Sequence, residues 1–325
     1  MPPARLRRLT ALTFALTSAA ALAASEPAPP ASRLLLKTGE YHLHTARQGA
    51  AAVARDHFIY IVGGDGHGPV TDIERFDARS HQLVRISDQL LPRRYHNVIE
   101  FQGRLFIFGG ESIGPFDFPF VEQVEIFDCA KGTFTLGAPM TYPGAHMGAA
   151  RFGPLVYLFG GTRQKSNQVG QWSDTDIYDL AANTWSKGPP MPLPRECSAV
   201  AVGDFILVPG GFRAHRSDAS VDLLSPKENT WRTLPRLARP ISEHATVFLG
   251  KYLFLFGDDA KPGSVVAYDL SSRTTLDLAT DFTGRWHAAA AVLDDTIYVI
   301  GGLTRAVDGQ SDLIETFKLN PDYHP

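Results

Sequence analysis

Arginine, histidine and glutamate recur in this chain in two sets of positions, and these are the groups able to do chemistry. One set follows glycine pairs: Arg163, Arg213 and Arg305, with Glu111, Asp258 and Asp259 in equivalent loops. The other stands just ahead of runs of small residues: Arg94 and His96, Arg195 and Glu196, Glu243 and His244, and Arg285 with Trp286 and His287. Arginine offers a planar fork of donors that fits a carboxylate or sulfate, and an indole beside it can stack on a sugar or a peptide side chain. The expected ligand-binding set is therefore Arg94, His96, Arg163, Arg195, Arg213, Glu243, Arg285, Trp286 and Arg305. A second role stays open for each arginine, which can instead bond loop carbonyls or pair with Glu111, Glu196, Glu243 or Asp258. His96, His146, His244 and His287 read as one register at the starts of strands. A metal site would need them to converge from separate repeats, so no metal and no other cofactor is expected. The chain has no Gly-x-Ser-x-Gly elbow, no phosphate-cradling glycine loop and no His-Glu-x-x-His pair.

The elements that must position these groups form a repeat. Six aromatic-aliphatic runs end on glycine: Ile59–Gly64, Leu105–Gly110, Val156–Gly161, Phe205–Gly211, Leu253–Asp258 and Ile297–Gly302. Their first glycines, at 63, 109, 160, 210, 257 and 301, are 46, 51, 50, 47 and 44 residues apart, a period that belongs to blades or solenoid turns. Each run follows a strand of small residues and a tight turn, such as Gln102-Gly103. A third strand ends on aromatic-Asp, as in Val124–Asp128, where the carboxylate can bond the backbone two residues on. A fourth carries Phe134, Trp185 or Trp231 and leaves through prolines. Alanine-rich first strands (Gly49–Ala54, Gly148–Phe152, Ser198–Val202, His287–Val292) suit copies that converge on a narrow axis.

The ends and the composition bound the class. Arg5, Arg7 and Arg8, an apolar stretch and Ala21–Ser25 read as an export signal over residues 1–24, cleaved after Ala23 or Ala24, followed by a flexible lead-in over 25–32. The remaining chain, 33–325, is expected to form one domain, exported to a periplasm or secreted, with no membrane span and monomeric. A net charge of −3 gives no basic field for nucleic acid. Cys129 and Cys197 fall at non-equivalent places in different repeats, so disulfides do not hold the fold together.

The order Gly-Gly, aromatic-Asp, Trp, and a Pro-rich exit with Arg resembles the Kelch repeat over roughly residues 33–319. The resemblance implies an all-β, six-bladed β-propeller of four-stranded blades. Because the chain ends after Leu313–Leu319 without a fourth strand, Leu34–Arg47 is expected to supply the outer strand of the last blade and close the ring. Departures fall in single repeats: Gly257-Asp258 lacks the second glycine, and Leu223-Leu224-Ser225 replaces aromatic-Asp.

Two functions follow as expectations. One is a binding module that takes a protein, peptide or anionic glycan on its loop face. The other is a mutarotase for an acidic sugar, since the resemblance extends in architecture to exported Kelch-type sialate mutarotases. That chemistry needs a carboxylate-binding arginine and a general acid/base, here Glu243 or Glu196 beside Arg195, Arg213 or Arg285. A copper-radical oxidase on a Kelch-like propeller needs a Tyr/Cys/His ligand set that nothing here identifies.

Overall fold

The computed structural model describes residues 33–114, 119–307 and 309–323; the export and lead-in segments, 1–24 and 25–32, lie outside the described residues. Among the described residues every regular element is a strand, and no helix is long and apolar enough to cross a membrane.

Six four-stranded antiparallel sheets follow one another along the chain. Sheet I holds Ala51–Arg55, Phe58–Val62, Ile73–Asp77 and Leu83–Ser87, and sheet II Asn97–Phe101, Arg104–Phe108, Glu125–Asp128 and Thr133–Leu136. Sheet III holds Gly148–Phe152, Leu155–Phe159, Thr175–Asp179 and Thr184–Gly188. Sheet IV holds Val200–Val202, Phe205–Pro209, Val221–Ser225 and Thr230–Leu234, and sheet V Ala245–Leu249, Tyr252–Phe256, Val265–Asp269 and Thr274–Leu278. Sheet VI takes Ala289–Leu293, Thr296–Ile300 and Leu313–Leu319 from the end of the chain, and its outer strand is Leu35–His42 from the start. That strand pairs Leu35 with Leu319 and His42 with Leu313, with a register shift between Lys37 and Gly39.

Local chemistry explains the strand order within a sheet. At Gln102-Gly103 both residues have positive φ, 51° and 78°, the twist that a two-residue hairpin between right-twisted strands requires. The Asp that ends a third strand accepts from the backbone N–H groups two and three residues on: Asp77 from Arg79 and Ser80, Asp128 from Ala130 and Lys131, Asp179 from Ala181 and Ala182, Asp269 from Ser271 and Ser272. In sheet IV, Ser225 holds the turn instead, accepting from Glu228 N–H.

The core lies between sheets. Phe106 and Phe108 of sheet II pack with Val156, Leu158 and Tyr178 of sheet III, and Ile59 and Ile61 of sheet I pack with Tyr298 and Ile300 of sheet VI. These side chains are almost fully removed from water, which stabilises the fold by about 1.5–3 kcal/mol each before entropy is counted. The outer tryptophans tie neighbours together: Trp185 Nε1 donates to Ala138 O and Trp231 Nε1 to Pro189 O, each in the exit of the preceding sheet. Cys129 and Cys197 are both free thiols.

The glycine pairs bring sheets into close approach. A Cβ on Gly257 would lie 2.1 Å from Arg285 O, and its φ is +81°, so only glycine fits. Asp258 has no positive φ, which is why this repeat tolerates a side chain where the others have a second glycine.

Candidate functional site

Three of the arginines expected on an open face are not on it. Arg163, Arg195 and Arg285 are fully buried, as are Arg47 and Arg93, so they have no surface to offer a ligand. Each guanidinium bonds the carbonyl of the first glycine of its own sheet: Arg47 to Gly63, Arg93 to Gly109, Arg163 to Gly160, Arg195 to Gly210 and Arg285 to Gly301. Each also pairs with a buried acid on the third strand or its approach. The pairs are Arg47 with Asp72 and Glu74, Arg93 with Glu125 at 2.5 Å, Arg163 with Asp176, Arg195 with Asp222 at 2.8 Å, and Arg285 with Glu315. These guanidiniums plug the turn that the glycines make. Burial pulls Arg93 down to about 10, which leaves it charged at neutral pH beside Glu125.

Arg163 shows how the plug is moved. The residue preceding sheet III at the arginine position is Gly144, and a Cβ there would lie 2.6 Å from Arg163 Cγ. The arginine after the glycine pair fills the space left by the one missing before the strand.

His96 is buried too, although it lines the cavity described below, and burial pushes its imidazole down to about 3, so it is neutral. His244 is its counterpart, buried and pushed down to about 4 for the same first reason. The four histidines therefore do not share a register: His96 and His244 follow one position after the residues equivalent to His146 and His287.

Those equivalent residues form the site. Gly49, Tyr95, His146, Cys197, Glu243 and His287, one ahead of each first strand, line a cavity of about 260 Å³. Their backbones bond head to tail: Tyr95 N–H to Gly49 O, His146 to Tyr95, Cys197 to His146, His287 to Glu243, and Gly49 to His287, at 2.7–3.1 Å. All but Cys197 have φ between 53° and 60°.

The side chains they carry pack over the axis. Tyr95 stacks on His146 with centroids 4.0 Å apart and meets His287 at 4.7 Å. Tyr95 Oη donates to Gln48 Oε1 at 2.9 Å. Glu243 Oε2 lies 3.4 Å from His287 Nε2, and Glu111 Oε1 lies 3.9 Å from His146 Nε2. Burial, then Asp259, Glu196 and Asp258, push Glu243 up to about 7. Burial and then His146 push His287 down to about 3, and burial lowers His146. The Glu243–His287 contact is thus no ion pair at neutral pH: the imidazole is uncharged, and the carboxyl is poised between its two forms.

The other expected residues surround this mouth at differing exposure. Arg94 is one-third exposed and held by Glu111 at 2.9 Å and Asp65 at 2.8 Å. Arg213, on the short hairpin of Phe212–Arg213 and Arg216–Ser217, is 3.5 Å from Asp218. Arg305 is exposed and donates to the carbonyls of Asp259 and Ala260. Trp286 is half-buried and fixed by paired backbone bonds to Leu303. Among the described residues no group of three or more His, Cys, Asp or Glu is arranged to hold a metal ion. Tyr95 went unnoticed in the sequence; its signal is its place between the buried Arg93 and the first strand, the place that His146 and His287 hold in their own repeats.

Comparison with known proteins places the architecture. The chain is 26% identical over 212 residues to Kelch-like protein 35 of Mus musculus, covering 64% of this chain and 34% of that protein. It is 26% identical over 236 residues to Kelch-like protein terF of Aspergillus terreus, covering 65% and 50%. It thus spans a third to a half of the length of these curated relatives. A solved chain titled "Structure of YjhT" superposes with a TM-score of 0.73 at 13% identity, covering 84% of this chain and 95% of that one, a likeness of β-propeller fold alone. The family model described as the KLHDC2/KLHL20/DRC7 Kelch-repeats domain matches residues 49–258, and with the glycine pairs and aromatic-Asp turns seen in place, the chain belongs to the Kelch-repeat family.

Proposed function

We propose that this is an exported six-bladed β-propeller, closed by its N-terminal strand and monomeric, that works as a binding module with its ligand at the channel mouth. The observation that carries the reading is the cavity itself: residues from all six repeats line it, and at the shared position five of the six backbones have one conformation while the residues are Gly49, Tyr95, His146, Cys197, Glu243 and His287. A position that is constant in backbone and variable in side chain is where a repeat fold specifies a ligand. Family membership supports the same reading, since the relatives share the repeat across differing proteins. Export rests on residues 1–24 alone and is tested by N-terminal sequencing of the protein recovered from its source, which should begin after Ala23 or Ala24.

One observation favours the second reading, a mutarotase for an acidic sugar: a carboxyl poised near 7 beside a neutral imidazole suits proton transfer at a sugar oxygen. Arg195 and Arg285 drop out as carboxylate-binding partners because they are buried, which leaves Arg213. Anomer exchange of N-acetylneuraminate, followed by NMR with and without protein, separates the two. Acceleration that vanishes in Glu243→Gln establishes the enzyme; an unchanged exchange rate together with calorimetric binding of a peptide or glycan establishes the module.

A further inference from the structure

Charge at the mouth runs opposite to what the arginine count suggests. Glu196 and Glu243, from different repeats, line the cavity; Glu111 stands beside it, 3.9 Å from His146, and Asp65, Asp258 and Asp259 lie near enough to act on Tyr95 or Glu243. Of the cations around the mouth, Arg94 is shared between Glu111 and Asp65, Arg239 lies against Asp258 at 2.9 Å and Arg213 against Asp218 at 3.5 Å, while Arg305 is turned to the carbonyls of Asp259 and Ala260. Between the carboxylates lie the uncharged rings of Tyr95, His146 and His287, and the Tyr95 face already takes a guanidinium, with Arg94 Cζ 5.1 Å from its centroid.

The cavity wall makes a second, independent demand. His96 is 6% exposed and His244 7%, and both line the cavity. The His244 ring is served by the Pro209 carbonyl and by Ser198 Oγ at 3.2 Å, whereas the His96 ring has only the Val62 carbonyl beside it, so among the described residues one His96 nitrogen has no hydrogen-bond partner. A neutral imidazole offers one acceptor nitrogen, which a donor-rich ligand satisfies and an anion does not.

We propose that the channel mouth receives an organic cation, the ammonium of a lysine side chain on a peptide, seated among Glu111, Glu196 and Glu243 over the rings of Tyr95, His146 and His287. The proposal rests on the binding-module reading and names its ligand. Aromatic faces attract a cation through their quadrupole, and removal from water strengthens both that attraction and the pull of the carboxylates. A cavity of this volume has room for one such side chain. An anionic sugar would instead meet the carboxyl groups of Glu196 and Glu243.

Binding couples to a proton. Without ligand, Glu243 titrates at about 7 because burial and its acidic neighbours disfavour the carboxylate. The groups that face it are His287, Glu196, Asp258, Asp259 and Tyr95; His287 stays neutral through this range, and Tyr95, pushed up to about 12, stays protonated. An ammonium beside Glu243 favours the carboxylate and expels its proton, so affinity rises with pH. With the bound-state value well below 6, the probe binds about tenfold more weakly at pH 6 than at pH 8.

Titration calorimetry of the full mature chain with Nα-acetyl-lysine methylamide, and with the norleucine analogue that lacks the ammonium, tests this. The lysine probe should bind, the norleucine probe should bind at least tenfold more weakly, and Glu243→Gln should abolish the pH dependence. Glu196→Gln serves as a second variant, weakening the lysine probe severalfold and, because Glu196 helps to raise Glu243, reducing the pH dependence without abolishing it. Equal binding of the two probes, or tighter lysine binding at pH 6, overturns the proposal. Binding of N-acetylneuraminate with the lysine probe silent overturns it too, yet leaves the binding module standing; silence toward all three ligands removes both.

Discussion

Replacing Arg285 with alanine separates a structural arginine from a ligand-binding one. The side chain is fully buried, and its guanidinium serves the carbonyls of Gly301 at 2.7 Å, Thr283 at 2.8 Å and Val299 at 3.0 Å as well as the carboxylate of Glu315. Removing it leaves three carbonyls short of a donor and Glu315, itself wholly buried, with Lys37 and Thr283 as its remaining partners. Breaking a buried pair on one side costs about 3–5 kcal/mol, most of it from the charge left behind. At about 2.1 cal/mol/K of unfolding entropy per residue, a domain of roughly 290 residues loses about 5–8 °C of Tm for that change. Scanning calorimetry of Arg285→Ala should show this drop. Arg94→Ala, which removes a one-third-exposed side chain, should lower Tm by less than about 2 °C. A melting point for Arg285→Ala within 1 °C of the parent, or a larger loss for Arg94→Ala, would refute the assignment of the buried arginines as plugs.

Three further tests probe the frame. Gly211→Ala places a Cβ 2.2 Å from Glu196 O at φ +115°, and should cost about 2–4 kcal/mol; Gly153→Ala, with φ +61° and no atom within 4 Å, should cost about 1 kcal/mol, and equal urea midpoints would contradict the close-approach argument. A chain that begins at Leu43 lacks the outer strand of sheet VI and the Lys37–Glu315 pair, so it should aggregate or melt well below the parent; light scattering and melting indistinguishable from the parent would deny that strand its role. Ala289→Leu overfills a 7%-exposed site packed between sheets VI and I, with an expected loss of about 1–3 kcal/mol in chemical denaturation, and an unchanged midpoint would show slack in the wall.

The repeat was legible because its signals are local. A glycine pair, an aromatic-Asp turn and a strand of small residues each state their conformation within five or six residues, and Ser225 and Asp258 could depart from the pattern because the turn and the φ at those places allow it. The site was legible only in part because an arginine's role depends on what lies across the turn. Arg94 and Arg93 are neighbours in sequence, yet one reaches solvent and the other is fully buried against Glu125. Arg163 stands in a different part of its repeat from Arg195 and Arg285 and still does the same work, because Gly144 leaves the space that it fills. The histidines likewise differ by one residue in register, so that Tyr95 rather than His96 is the counterpart of His146 and His287, while His96 lines the cavity from the next position.

What marks Glu243 as a functional group is that the fold would be steadier without its charge. Its pKa rises from 4.5 to about 7 on folding, first through burial and then through Asp259, Glu196 and Asp258. An acid with a raised folded-state value binds more protons in the native than in the unfolded chain, so stability falls as pH rises between those two values and is lowest above them. The carboxylate therefore destabilises the protein at pH 8 by roughly 2–3 kcal/mol relative to its protonated form. Its backbone adds to this, since φ is +57° for a residue with a Cβ. Glutamine keeps the shape, the size and the contact with His287 while removing the titration. Glu243→Gln should thus raise Tm by about 3–5 °C at pH 8 and shift it little at pH 5, where the parent carboxyl is already protonated in the folded state. Tm followed by scanning calorimetry from pH 5 to pH 8 reads this directly: the parent should lose stability relative to the variant across pH 5–7, and the gap should then hold constant. A variant less stable than the parent at pH 8 would mean that the carboxylate is held by donors within the chain, and the case for a ligand-seeking charge at the mouth would fail with it.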